Sequence, residues 1–447
     1  MATVVAGLLV SVGMAPTSFA ADLGGDCCAD LEERIAELEA TTARKGNRKV
    51  SLEVYGQVNQ GILFWDDGFE DNAYVVTNDN SRTRIGFRGK AKIDGDWSAG
   101  YRLEIGIRSA NSKRFTQSDA LGETGQDLRD AHWYIDNKKY GRVIVGLGAT
   151  ATDQITEINQ TQTADFSKYS DVEDTGLGLS LRRTDGDLST RYQYRRLIGV
   201  HGDQPGEGER KFSGVTYQTP EVSGFTASAT WADDDYWDVA LRYKGEFAGL
   251  KVAAGIGYGK IDTGTAQTNT ACAAIENDDS DCDQFGGSIS VVHVDSGLFV
   301  NFGAGIKKDD LIDRTTLFAT SAIRPDDEQT FWAIQAGIER KWTSFGKTTI
   351  YGEYYDYEGG ANTRTLDAAF ADTTNAAAVV STGLESYGFG VAQGFDAAAL
   401  TLYLSYRHVK GDISVADTTV GGVATGDVSS VPLEDLDLVF AGGIIKF

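Results

Sequence analysis

The segment Arg82-Thr83-Arg84-Ile85-Gly86-Phe87-Arg88-Gly89-Lys90-Ala91-Lys92-Ile93 carries mostly basic residues at even positions and mostly apolar ones at odd positions. A period of two belongs to a β-strand. It places a basic row on one face and Ile85, Phe87, Ala91 and Ile93 on the other. The next segment repeats the pattern, with Tyr101, Leu103, Ile105 and Ile107 alternating with Arg102, Glu104 and Arg108. Near the far end, Leu400, Leu402, Leu404 and Tyr406 alternate with Thr401, Tyr403, Ser405 and Arg407. A soluble barrel would turn the apolar row inward; a membrane barrel turns it toward lipid.

Working outward, strands are predicted near 50–66, 81–93, 96–108, 126–137, 140–149, 176–184, 187–198, 211–219, 222–232, 236–246, 249–260, 284–294, 297–308, 329–342, 346–358, 384–395, 398–411 and 434–447. The connections alternate in length. Asp94-Gly95, Lys138-Lys139, Asp185-Gly186, Phe247-Ala248 and Asp396-Ala397 are tight, whereas 67–80, 109–125, 150–175, 261–283, 309–328, 359–383 and 412–433 are long and polar. Short turns at one end and long loops at the other, on an even number of antiparallel strands, describe an outer-membrane barrel. The expected fold is therefore all-β: a transmembrane antiparallel barrel of 16–18 strands, with the hairpin across Asp233-Asp234-Asp235 deciding the number. The chain ends on such a strand, with Val439, Ile445 and Phe447 on one parity.

Composition agrees. The chain has 447 residues with 53 Gly, 19 Tyr and 20 Phe but only 5 Pro, so long strands keep their N–H donors. Mean hydropathy is −0.26, which argues against a bundle of membrane helices but suits strands with one wet face. A formal charge of −24 argues against nucleic-acid binding. It also suggests a modest cation preference.

The apolar run Val4 to Val12, followed by Ser18 and Ala20, predicts a signal peptide over 1–20, without a basic start. Residues 21–49 form a predicted helical segment and basic linker in the periplasm. Leu31, Ile35 and Leu38 stand at heptad spacing before Arg44 to Lys49. That segment reads equally as an assembly clamp or a polar tether, and 50–447 as the barrel. Cys272 and Cys282 bracket an acidic stretch and are expected to form a disulfide. Asp26 before Cys27 and Cys28 argues against lipidation.

Ser51 to Asn59, Ser81 to Gly89 and Tyr140 to Leu147 resemble the Gram-negative general porin superfamily, and Ala151 to Ile158 resembles its alphaproteobacterial porin family. The resemblance runs from about 50 to 447. It implies an outer-membrane homotrimer of sixteen-stranded barrels for passive diffusion of small hydrophilic solutes and ions, with a third loop folded into the lumen.

On that footing the chemistry is a constriction, with fixed charges facing one another across water. Arg82, Arg84, Arg88, Arg102 and Arg108 are the expected basic wall, and Asp153, Glu157 and Asp165 the opposing acidic loop. Asp171, Glu173 and Asp174 read as solvated loop residues. Arg182, Arg191, Arg195, Arg242 and Arg407 are further wall candidates. Outer-membrane lipid and lipopolysaccharide are the expected surroundings. No metal or cofactor is expected, because Asp278 to Asp283 lacks the turn glycine of a calcium loop. His132, His201, His293 and His408 are scattered, without a nucleophile motif, so no enzyme is expected. The alternatives are a sugar-selective barrel, with Tyr403 as a candidate on an aromatic slide, and an envelope tether acting through 22–49.

Overall fold

The computed structural model describes residues 49–199, 204–208, 210–232, 236–261, 282–309, 317–360 and 365–447. The predicted signal peptide, the helical segment, Cys27, Cys28, Cys272, His201 and the Asp233–Asp235 connection lie outside those residues. Lys49–Phe447 forms one compact unit.

Sixteen antiparallel strands close that unit into a barrel. They are β1 (Glu53–Asp66), β2 (Arg84–Asp94), β3 (Trp97–Arg108), β4 (Gly125–Asn137), β5 (Gly141–Ala149), β6 (Arg210–Gln218), β7 (Phe225–Ala232) and β8 (Trp237–Phe247). The second half comprises β9 (Leu250–Ile261), β10 (Cys282–His293), β11 (Leu298–Asp309), β12 (Glu328–Arg340), β13 (Thr348–Gly359), β14 (Ala377–Phe395), β15 (Leu400–Thr418) and β16 (Leu436–Lys446). Each pairs with its sequence neighbour. Closure comes from β1, which pairs with β2 from Glu53 to Gln57 and with β16 from Gln57 to Asp66. Above β2, the short strand Asp71–Thr77 takes over the same edge of β1.

The turns follow from backbone chemistry. Between β8 and β9 only Ala248 and Gly249 intervene, both with positive φ, which suits the right-handed twist of the flanking strands. At the other end the connections are long and fold back as extra strands, such as Ala424–Ser430 against β15.

The number of strands corrects the eighteen counted from sequence. Segments 176–184 and 187–198 do form a hairpin, Ser180–Arg182 with Leu188–Gln193, but it stands apart from the barrel sheet. Its Asp185-Gly186 turn and alternating apolar residues copy a barrel hairpin. Its apolar face is buried, however: Leu177, Leu179, Leu181, Tyr192 and Tyr194 pack against Val409, Ile413, Leu436 and Leu438 from the barrel wall.

Alternation now has a direction. Val58, Ile62, Phe64, Leu103, Leu402 and Leu404 are exposed on the outer face, whereas Gln57, Asn59, Glu104 and Arg407 are buried on the inner one. Among the described residues no helix is long and apolar enough to cross a membrane. An apolar belt outside a charged lumen is the arrangement of a barrel that crosses lipid with strands.

Candidate functional site

The third loop leaves β5 at Ala149 and runs to β6. From Thr150 it turns into the lumen and follows the inside of the wall. Inward polar side chains hold its backbone at successive strands. Asp238 on β8 accepts from the Ala151 and Thr152 amides at 3.0 and 2.7 Å. Arg242, beside it, donates to the carbonyls of Ala151 and Asp153 at 2.6 and 2.7 Å. Ser288 and Ser290 on β10 accept from the amides of Ile158 and Gln160. Glu339 on β12 accepts from Gln162 at 2.7 Å, and Gln335 from the Thr163 hydroxyl at 2.6 Å. Lys446 at the end of β16 reaches Asp165 at 2.6 Å, and Asn59 on β1 donates to the Asp165 carbonyl. Beyond this arc the loop rises to the hairpin, where the Gly176 amide donates to Ser112.

Apart from Arg242, expected as a wall residue, these holding residues carry no role in the sequence analysis. Their one signal is polarity on the inward parity, which a water-facing side chain shares.

Opposite the arc, Arg84, Arg88, Arg102 and Arg108 project inward from β2 and β3, with Arg82 just before β2. A cavity of about 1090 Å³ is lined by all five and by Asp153, Glu157 and Asp165 from the loop. Two smaller cavities adjoin it. One, of about 250 Å³, shares Arg88 and Arg102; the other, of about 510 Å³, shares Asp153 and Glu157 and reaches Gln218, beside a short turn. Asp171, Glu173 and Asp174 line the main cavity too and are buried, contrary to the expectation of solvated loop residues.

The arginines are interleaved with carboxylates. Arg82 and Arg108 share Asp79, at 3.2 and 3.1 Å. Glu104 takes Arg102 at 2.6 Å and Arg129 at 2.8 Å, while Arg102 also approaches Asp130 at 3.3 Å. Arg88 pairs with Glu53 at the rim. Of the further candidates, Arg182 and Arg191 belong to the hairpin and pair with Asp67 and Asp367. Arg407 is buried against Glu353 at 2.7 Å. Arg242 clasps the loop, and Arg195 lines the cavity from the loop side.

On the loop, Lys168 bridges Glu157 and Asp171 at 2.6 and 2.8 Å. Glu207 accepts from Thr156, and Gln204 donates to both Asp171 and Glu207. Burial pushes Glu207 up to about 8 and Asp174 up to about 6, with Asp171 raising both further. Burial and Asp171 likewise raise Glu157. Burial would raise Asp171, but Lys168, a hydrogen bond with Glu157 and the charge of Lys113 together drive it down to about 2. One carboxylate of the cluster thus carries its charge at the expense of its neighbours.

Tyr403 does not line the cavity. Its ring stacks on Phe166 at 4.8 Å with 6° between planes, and its hydroxyl donates to Asn59. Cys282 is buried and disulfide-bonded; its expected partner, Cys272, lies outside the described residues. Among the described residues no His, Cys, Asp and Glu cluster could hold a metal ion.

A family model described as Gram-negative porin matches residues 7–414. Among solved structures, the anion-selective porin from Comamonas acidovorans is similar at 15% identity and a TM-score of 0.52, covering 89% of this chain and 100% of that one. In-vitro folded OmpT, an outer membrane protein of Vibrio cholerae, is similar at 12% identity and a TM-score of 0.50, covering 90% and 99%. At these identities the likeness is one of fold. No curated protein matches the sequence.

Proposed function

The chain belongs to the Gram-negative porin family, forming an outer-membrane channel for passive diffusion, and on that premise we propose that its selective passage lies between the third loop and the β2–β3 arginines. Asp153, Glu157 and Asp165 stand on the loop side and Arg82, Arg84, Arg88, Arg102 and Arg108 on the wall side. The observation that carries this reading is that one cavity is lined by both sets. Opposed fixed charges set up a field across the passage, which favours small hydrophilic solutes and ions over apolar ones.

The finer parts of the reading follow from the same premise. The protein assembles as a homotrimer, its apolar belt meets lipid, and its outer loops meet lipopolysaccharide. Its role is transport without catalysis. A sugar slide is disfavoured by the burial of Tyr351, Tyr355, Tyr357 and Tyr403 beneath the loop.

Single-channel recording of the refolded protein in planar bilayers tests the reading. Stable ohmic steps grouped in threes are expected. A folded, detergent-dependent barrel that conducts nothing would leave the passage closed and the proposal wrong.

A further inference from the structure

The chain as a whole has 41 Lys and Arg against 65 Asp and Glu. The passage reverses that balance: among the described residues lining the main cavity, twelve are Arg or Lys and nine are Asp or Glu. The two signs are also unequally presented. Side-chain exposure is 56% for Arg88 and 37% for Arg102, against 0% for Glu104 and 3% for Asp79. Glu104 and Asp79 therefore sit behind the guanidinium groups that they hold in place, while Arg88 and Arg102 present their edges to the water.

We propose that this passage prefers anions, and that small carboxylate and phosphate solutes are its favoured cargo, although the protein itself is strongly acidic. The proposal rests on the reading of the third-loop passage as the conducting path.

Its physical basis is distance. An ion moving along the wall meets the guanidinium edge of Arg102 before the buried Glu104 behind it, so that pair attracts an anion at short range, and Arg88, as exposed as its partner Glu53, adds a second guanidinium edge. The surplus acidic charge lies elsewhere, and at physiological ionic strength charges more than about 8 Å from the path are largely screened. Planar guanidinium groups also match carboxylate and phosphate oxygens two at a time. On the loop side Lys168 sits between Glu157 and Asp171, and Lys446 covers Asp165, which is 30% exposed. Burial of Glu157, Asp174 and Glu207 favours their neutral forms and lowers the negative charge facing the wall further.

The test is the reversal potential of the reconstituted full-length channel under a potassium chloride gradient. Chloride is expected to permeate several-fold better than potassium. R88Q, at the exposed rim, is expected to move the ratio toward one, and D165N, which leaves Lys446 uncompensated, to raise it. A conducting pore with a potassium-selective reversal potential overturns the anion assignment while leaving the channel in place. So does a ratio that neither substitution moves. A folded barrel without conductance overturns the passage itself.

Discussion

On β2 and β3 the inward positions hold Arg84, Arg88, Arg102, Glu104 and Arg108, which line open space. On β12 to β16 the inward positions hold Phe331, Tyr355, Leu384, Val409 and Leu438, which are buried against the third loop. The outer faces of the two regions are alike, with Leu103 and Leu404 similarly exposed. Lipid imposes one rule on the outside of a barrel, whereas the inside obeys whatever fills it. Here a loop core occupies one side of the lumen and leaves the conducting space off-centre, along the arginines. Substitutions on the packed side should therefore cost stability and spare selectivity; those on the arginine side should do the reverse.

The largest expected effect is on the packed side. Arg407 and Glu353 form a buried pair, and Glu353 also accepts from Gln335 and Ser167. R407A strands that carboxylate away from water and should destabilise the docked loop by about 3–5 kcal/mol. Equilibrium urea unfolding in lipid vesicles, together with protease cleavage within 150–199, would register it. An unchanged midpoint and an uncleaved loop would mean that the packed side is not what holds the loop.

F166A comes next. Phe166 lies between Tyr403 and Tyr351, with ring centroids at 4.8 and 6.2 Å, and its removal opens a void in the loop core. A loss of about 3 kcal/mol is expected in the same unfolding assay. The sign of the reversal potential should not change, because no lumen charge is touched. A reversed sign would show that the two sides are coupled.

These two residues also show where sequence reading stops. The outward periodicity was legible, since Val58, Leu103 and Leu404 answer to lipid alone. The arginine row was legible because five charges fell on one parity of two adjacent segments. The packed side was not, because Val409 and Ile413 break the polar-inward rule only in partnership with Leu179, Leu181 and Tyr192, which are more than 200 residues away in the chain. For the same reason Leu177 to Leu181 passed for a lipid-facing strand. Apolar alternation states that a face is covered without saying what covers it. Asp171, Glu173 and Asp174 were misread in the same way. A carboxylate run looks solvated until Lys113 and Lys168 fold in beside it.

On the arginine side the stability effect should be small. Arg88 and Glu53 are both 56% exposed, so breaking the pair by R88Q should leave the unfolding midpoint nearly unchanged. The change appears instead in the chloride-to-potassium ratio. A destabilisation as large as that of F166A would mean that the arginine row is a structural brace, and the contrast between the two sides would fail.

The smallest effect expected on selectivity is one of pH. Glu207 faces Thr156 and Gln204, with Asp171, Asp153 and Lys168 near it, and burial raises it to about 8. Released from the folded protein, a glutamate loses its proton near 4.3. Between those values the folded loop binds a proton that the released loop does not, so docking weakens as pH rises from about 4.5 and the loss is complete above about 8. Ionisation also adds negative charge beside the passage, so chloride preference should decline from pH 6 to pH 9. E207Q is expected to remove that part of the decline while leaving the conductance in place, since a glutamine keeps the bond from Thr156 without the charge. The outcome divides the two regions once more. A pH-dependent unfolding midpoint with a constant permeability ratio would assign Glu207 to the loop's packing, whereas a drifting ratio with a constant midpoint would assign it to the charged passage.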